Sequence, residues 1–154
     1  MTNVYFSAHV SRIADRFLKL AKKYRIMNKR IIILASIFGI IGVILGAFGG
    51  HGLKPLLSAE QIDTWRTAVQ YHFVHTLALL FLSTFSRFKS RAINIASWCF
   101  TFGILLFSGS LYLLSTQHLM HAGDLSFLGP VTPFGGLLFI MGWVFLLMAA
   151  IKNK

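Results

Sequence analysis

Residues 31–50 read IIILASIFGIIGVILGAFGG, a stretch without a single Asp, Glu, Lys or Arg. At ~1.5 Å rise per residue, a helix of that length covers ~30 Å, the thickness of a bilayer's hydrocarbon core. Three further uncharged runs follow: Ala68–Phe85, Ile95–Ser115 and Pro133–Ile151. A soluble 154-residue domain would break its helices with charged outer faces. The pattern predicts an all-α membrane protein, a four-transmembrane-helix bundle spanning about 31–50, 68–85, 95–115 and 133–151.

The charges that these runs exclude collect in alternate connections. Arg12, Arg16, Lys19, Lys22, Lys23, Arg25, Lys29 and Arg30 precede the first run, opposed only by Asp15. Arg87, Lys89 and Arg91 separate runs two and three, and Lys152 and Lys154 follow run four. Between runs one and two, Lys54 and Arg66 are balanced by Glu60 and Asp63, and Asp124 is the only charge between runs three and four. Lys and Arg in short loops stay cytoplasmic, which predicts an N-in/C-in orientation. The net charge of +11 follows from that asymmetry. Its natural counter-charge is the anionic lipid headgroups of the bilayer. No nucleic-acid recognition module accompanies the basic residues, so no nucleic-acid partner is expected.

Residues 1–26 form a separate extension. Phe6, Val10, Ile13, Phe17, Leu20 and Tyr24 recur every three or four residues, with Arg12, Arg16, Lys19 and Lys23 on the other side. This is the pattern of a basic amphipathic helix lying on the cytoplasmic leaflet; a frayed tail with chance periodicity is the alternative. Residues 27–154 make the membrane domain. The first run is longer than a signal-peptide core and lacks a good cleavage site, so it is expected to be retained.

Local signals place the helix ends. Gly49-Gly50-His51-Gly52 is expected to stop helix one through a left-handed cap. Ser58-Ala59-Glu60-Gln61 reads as a capping box that opens helix two, with Trp65 at headgroup level. Thr132 and Pro133 read as N-cap and first residue of helix four. Small residues recur at helical spacing: Gly39, Gly42, Gly46 and Gly50 in run one, Gly103 and Gly109 in run three, Gly135 and Gly136 in run four. Bare backbone of this kind lets membrane helices approach closely, within one chain or in a homo-oligomer.

Helix two carries the polar groups. Gln70, Tyr71, His72 and His75 lie in its outer half, and Ser108 and Ser110 of run three are candidates to bond them across the interface. Polar side chains at membrane depth turn toward the bundle interior. The two imidazoles suit interhelical hydrogen bonding, proton handling or a metal or haem ligand. No carboxylate lies within any run to complete a metal site or a Ser-His-Asp arrangement, so no catalytic residue, metal or cofactor is assigned. His118, His121 and Asp124 have a loop spacing that matches a surface metal only weakly. Cys99 is the sole cysteine, which excludes an internal disulfide.

Four strings taken in order carry a resemblance: Leu45–Leu53 (LGAFGGHGL), Thr67–His72 (TAVQYH) with His75, Phe107–Tyr112 (FSGSLY) and Thr132–Gly136 (TPFGG). Together they resemble the YgdD/YwdK-type small membrane proteins, the family catalogued as domain of unknown function 423, of which transmembrane protein 256 is a relative. The resemblance implies a compact four-span protein, in bacteria of the inner (plasma) membrane, and brings no catalytic residue with it. Residues 1–26 extend beyond its usual start. The resulting expectation is a non-enzymatic structural or interaction protein in the lipid bilayer, with a homo-oligomer or a membrane-protein partner. The alternative is a small oligomeric transporter or proton-linked carrier using the polar face of helix two.

Overall fold

The computed structural model describes residues 12, 13, 15, 16, 28–85, 91–120 and 125–152. Four long helices make up the described chain: α1 (Lys29–Leu53), α2 (Ala59–Ser83), α3 (Arg91–Thr116) and α4 (Val131–Lys152). No strand occurs among the described residues. Helices α1, α3 and α4 are long and apolar enough to cross a membrane. Helix α2 falls outside that class because charged first turns and two histidines dilute its apolar content. Of the N-terminal extension, Arg12, Ile13, Asp15 and Arg16 are helical and exposed; the rest of its amphipathic pattern lies outside the described residues.

Neighbours in space follow chain order: α1 packs on α2, α2 on α3, and α3 on α4. Half of the apolar stretch of α3 is buried, against 22% in α1 and in α4, so α3 is interior while α1, against α2, and α4, against α3, lie at the outside. One core joins all four helices through Phe38, Leu79, Leu82, Phe100, Ile104 and Phe139. Outward faces stay apolar, with Ile40 and Val43 of α1 and Ile140 and Leu147 of α4 about 60% exposed. In water such a belt would drive aggregation, whereas lipid solvates it.

Polar groups hold the two ends. At one end the Asn28 amide donates to the Ser83 carbonyl at 2.8 Å. There Arg30 donates to Asn94 Oδ1 at 2.6 Å and to Ser97 Oγ at 3.2 Å, with its guanidinium 4.8 Å from the Trp98 ring centroid. Guanidinium stacked on indole is a favourable cation–π arrangement. At the other end Ser58 Oγ accepts from the Gln61 amide at 3.3 Å, and Gln61 Oε1 accepts from the Ser58 amide at 2.9 Å. The capping box is therefore formed, and α2 begins where its sequence places it.

Two expected helix details are corrected. The glycine run 49–52 does not stop α1, which instead widens into π-helical turns from Phe48 to Leu53. Its glycines stay in the right-handed region, as does Lys54 beyond them. Bare glycine leaves room for a ring: the Trp65 indole lies directly against Gly49 and donates to the Leu45 carbonyl at 3.0 Å. Trp65 is consequently buried at 5% exposure and packs 4.6 Å from Tyr112, in the core near the start of α2. Helix α4 begins at Val131, so Thr132 lies inside it and its hydroxyl is bonded to Ser110 Oγ at 2.7 Å.

Candidate functional site

His72 and His75 leave α2 in different directions, and each reaches other helices. His72 is 3% exposed. Its Nε2 lies 2.9 Å from the main-chain carbonyl of Phe38 in α1, and its Nδ1 lies 3.5 Å from the Tyr112 hydroxyl of α3. A carbonyl only accepts, which puts the ring proton on Nε2 and leaves Nδ1 to accept from Tyr112. Gly42 makes room for this contact: a Cβ there would stand 3.3 Å from His72 Cδ2 and 3.1 Å from Phe73 Cζ.

His75 uses the opposite arrangement. Its Nδ1 is 2.8 Å from the Tyr71 carbonyl one turn earlier, and its Nε2 accepts from Trp143 Nε1 of α4 at 3.3 Å. The indole N–H only donates, so the His75 proton belongs on Nδ1. Phe139 lies flat on the same ring, with centroids 3.5 Å apart and planes at 7°. The two histidines thus tie α2 to α1, α3 and α4, and all four ring nitrogens have partners. Either ring could bind a metal only by giving up an interhelical bond. No group of three metal-ligating residues occurs among the described residues; His121 and Asp124 of the loop lie outside them.

The remaining polar residues distribute differently from expectation. Ser110 turns to Thr132 and the Phe107 carbonyl and does not meet His75 or Gln70. Ser108 is fully buried in the π-helical turn Ile104–Ser108, and its hydroxyl makes no hydrogen bond among the described residues. Tyr71 is 42% exposed, with its ring 4.6 Å from Phe107. Gln70 is exposed and lines two grooves. The larger, about 600 Å³, runs between α2 and α4 over Phe107, from Gln70 and Pro133 to His75 and Trp143. The smaller, about 240 Å³, lies between α1 and α2 beside Gly46, Gly50 and Arg66.

The glycines divide by what faces them. A Cβ on Gly135 would strike the Phe107 main chain, 2.8 Å from its Cα, so α3 and α4 touch backbone to backbone there. At Gly103 it would lie 2.5 Å from the Phe139 ring, and at Gly142 2.5 Å from Phe100. Gly39, Gly46 and Gly136 make ordinary contacts at 3.6–3.9 Å with Thr76, Val69 and Phe107. At Gly50 and Gly109 a Cβ would meet nothing within 4 Å, so neither supports a close approach among the described residues. Sequence reasoning missed the partners of the histidines. Trp143 stands 68 residues from His75 with no local pattern to link them, and the Phe38 carbonyl carries no signal in a side-chain pattern.

Comparison with known proteins agrees with the geometry of a membrane protein. The family model described as "Protein of unknown function (DUF423)" matches residues 45–136. The chain is 40% identical over 126 residues to the UPF0382 membrane protein YwdK of Bacillus subtilis, covering 80% of this chain and 98% of that one. It is 40% identical over 124 residues to the UPF0382 membrane protein SAB0533 of Staphylococcus aureus and 39% identical over 124 residues to SH2409 of Staphylococcus haemolyticus. Both alignments cover 80% of this chain and 97% of the relative. No solved structure matches. The chain belongs to the DUF423 family of membrane proteins, whose relatives carry the name UPF0382.

Proposed function

We propose that this protein is a non-catalytic, four-span scaffold of the bacterial inner membrane, with both termini cytoplasmic, that organises lipid or a membrane partner. The observation that carries this reading is the occupation of both histidines. They are the imidazoles of the mid-helix polar face, and every ring nitrogen is engaged: three in bonds that fasten α2 to α1, α3 and α4, and His75 Nδ1 in a bond to the Tyr71 carbonyl of its own helix. A proton carrier needs a group free to load and release protons between two accessible states. Protonating His75 would point a second N–H at the Trp143 N–H, which cannot accept it.

Charge distribution supports the orientation. Lys29, Arg30 and Arg91 stand at the ends of α1 and α3 that the Arg30–Asn94 bond brings together, and Lys152 ends α4. Glu60, Asp63 and Arg66 stand at the opposite end, where Arg66 pairs with Asp63 at 3.0 Å. Helix α2 crosses in this reading because its buried polar residues are satisfied inside the bundle: Thr76 on the His72 carbonyl at 2.8 Å, and Ser83 on the Leu80 carbonyl at 2.6 Å. The test is reconstitution in liposomes under an imposed pH gradient. The reading predicts that wild type and His75→Gln liposomes leak protons at the same rate as empty ones. A flux present in wild type and lost in His75→Gln, with the fold intact, would establish the carrier instead.

A further inference from the structure

Arg30 is exposed, yet two helices hold it in one orientation. Its Nη2 donates to Asn94 Oδ1 and to Ser97 Oγ of α3, and its guanidinium lies over the Trp98 ring. Ser97 is buried at 1% exposure and gives its own proton to the Asn94 carbonyl at 2.8 Å, so it meets Arg30 as an acceptor. Both arginine bonds leave from one nitrogen. The Nε and Nη1 N–H groups have no hydrogen-bond partner among the described residues. A held guanidinium of this kind presents fixed donors, and an oxyanion meeting them has little left to order.

The charge around Arg30 has one sign. Helix α1 opens on Lys29 and Arg30 and helix α3 on Arg91, with no acidic residue in either first turn. That is the unfavourable sign for a helix start, whose unpaired N–H groups already carry positive partial charge. Glu60 and Asp63 stand at the opposite end, and no carboxylate pairs with Lys29, Arg30 or Arg91 among the described residues. An anion from outside the chain is the complement of this corner.

What lies beside the cation sets the kind of anion. Trp98, Phe102 and Leu105 of α3 are exposed at helical spacing and form one apolar strip that starts under the guanidinium. The Trp98 and Phe102 rings stack with centroids 5.5 Å apart and planes at 20°. From Trp98 to Leu105 the strip rises ~10 Å, most of the ~15 Å depth of one leaflet's hydrocarbon. No Asp, Glu, Lys or Arg follows Arg30 in α1 or Arg91 in α3. The cation therefore stands at the last charged level of two helices long and apolar enough to cross a membrane. A free phosphate would engage the cation and leave the strip bare. A zwitterionic lipid would bring an ammonium among like charges with no carboxylate to receive it.

From the held cation and the strip beside it we infer that the corner between α1 and α3 binds one anionic glycerophospholipid of the cytoplasmic leaflet, with its phosphate on Arg30 and an acyl chain along Trp98, Phe102 and Leu105. The inference deepens the scaffold reading and rests on its orientation and its role in organising lipid.

The experiment extracts the full chain from vesicles of phosphatidylglycerol and phosphatidylcholine in equal amounts and counts bound lipid by native mass spectrometry. One phosphatidylglycerol per chain should survive extraction in preference to phosphatidylcholine. Titrated back in micelles, phosphatidylglycerol should bind Arg30→Gln about tenfold more weakly than wild type, the size of one charge-assisted hydrogen bond. Lys152→Gln removes a cation from the end of α4 and should leave the affinity within about twofold. Both residues are exposed, so neither change opens the core. Phosphatidylglycerol with a diazirine on its acyl chain should label Phe102 and Leu105 of the wild-type protein, a readout that depends on no variant. Equal retention of phosphatidylcholine, an Arg30→Gln affinity equal to wild type, or an equal loss in Lys152→Gln would each overturn the inference. So would labels spread over every outward helix face, or displacement of the lipid by glycerol phosphate at comparable concentration. A histidine-dependent proton flux would overturn the non-carrier reading alone, leaving the lipid count as it is.

Discussion

Gly135→Ala isolates the closest approach in the fold. The new Cβ would lie 2.8 Å from Phe107 Cα and closer still to its nitrogen. Unstrained carbon contacts need ~3.5–4.0 Å, so α4 would have to withdraw by about 1 Å. The obstacle is main chain inside the π-helical turn, where the Gly109 amide bonds back to the Ile104 carbonyl, so no side-chain rotation relieves it. Overpacking of this kind costs ~1–3 kcal/mol, and a rigid backbone partner puts it at the upper end. Alanine returns up to ~1 kcal/mol through helix propensity, leaving a net loss of ~2 kcal/mol. Gly136→Ala is the internal control. Its Cβ would lie 3.7 Å from the Phe107 ring, an ordinary contact, so only the propensity gain of up to ~1 kcal/mol remains. Equilibrium unfolding in mixed micelles, followed by helical circular dichroism, should therefore separate the two variants by ~3 kcal/mol. Two curves within about 1 kcal/mol of each other, a spread typical of tolerated packing changes, would refute the argument.

Gly142→Ala should cost ~1–3 kcal/mol because its Cβ would meet the Phe100 ring at 2.5 Å, and Phe100→Leu should recover part of that loss in a double-mutant cycle. Trp143→Phe keeps an aromatic ring but removes the N–H that His75 Nε2 accepts, so thermal unfolding in detergent should show a loss of ~1 kcal/mol. Cysteine or reporter tags after Ser90 and after Gly123 should read cytoplasmic and external respectively, and the reverse would overturn the orientation drawn from charge.

Features written in contiguous residues were legible. The Ser58–Gln61 capping box formed because both of its bonds join residues three apart, and uncharged length located α1, α3 and α4 to within a few residues. The histidines stood out at their spacing on a polar face, yet their roles depend on partners brought by other helices. The Phe38 carbonyl belongs to every helix alike, and Trp143 lies 68 residues from His75. The glycine run 49–52 misled because glycine serves both a left-handed stop and a bare surface. The Trp65 ring, sixteen positions beyond Gly49 in the chain, decides for the second. Neither π-helical segment has a residue pattern of its own. Without the one at Ile104–Ser108, the contact between Phe107 and Gly135 and the groove above it were invisible.

The central claim is that the two histidines are interhelical fasteners with fixed, opposite ring tautomers. Nitrogen-15 NMR of histidine-labelled protein in lipid, assigned with His72→Gln and His75→Gln, reads this directly. The account predicts a proton on Nε2 in His72 and on Nδ1 in His75, each locked by its carbonyl partner. Rings that exchange between tautomers, or share the same one, would contradict it.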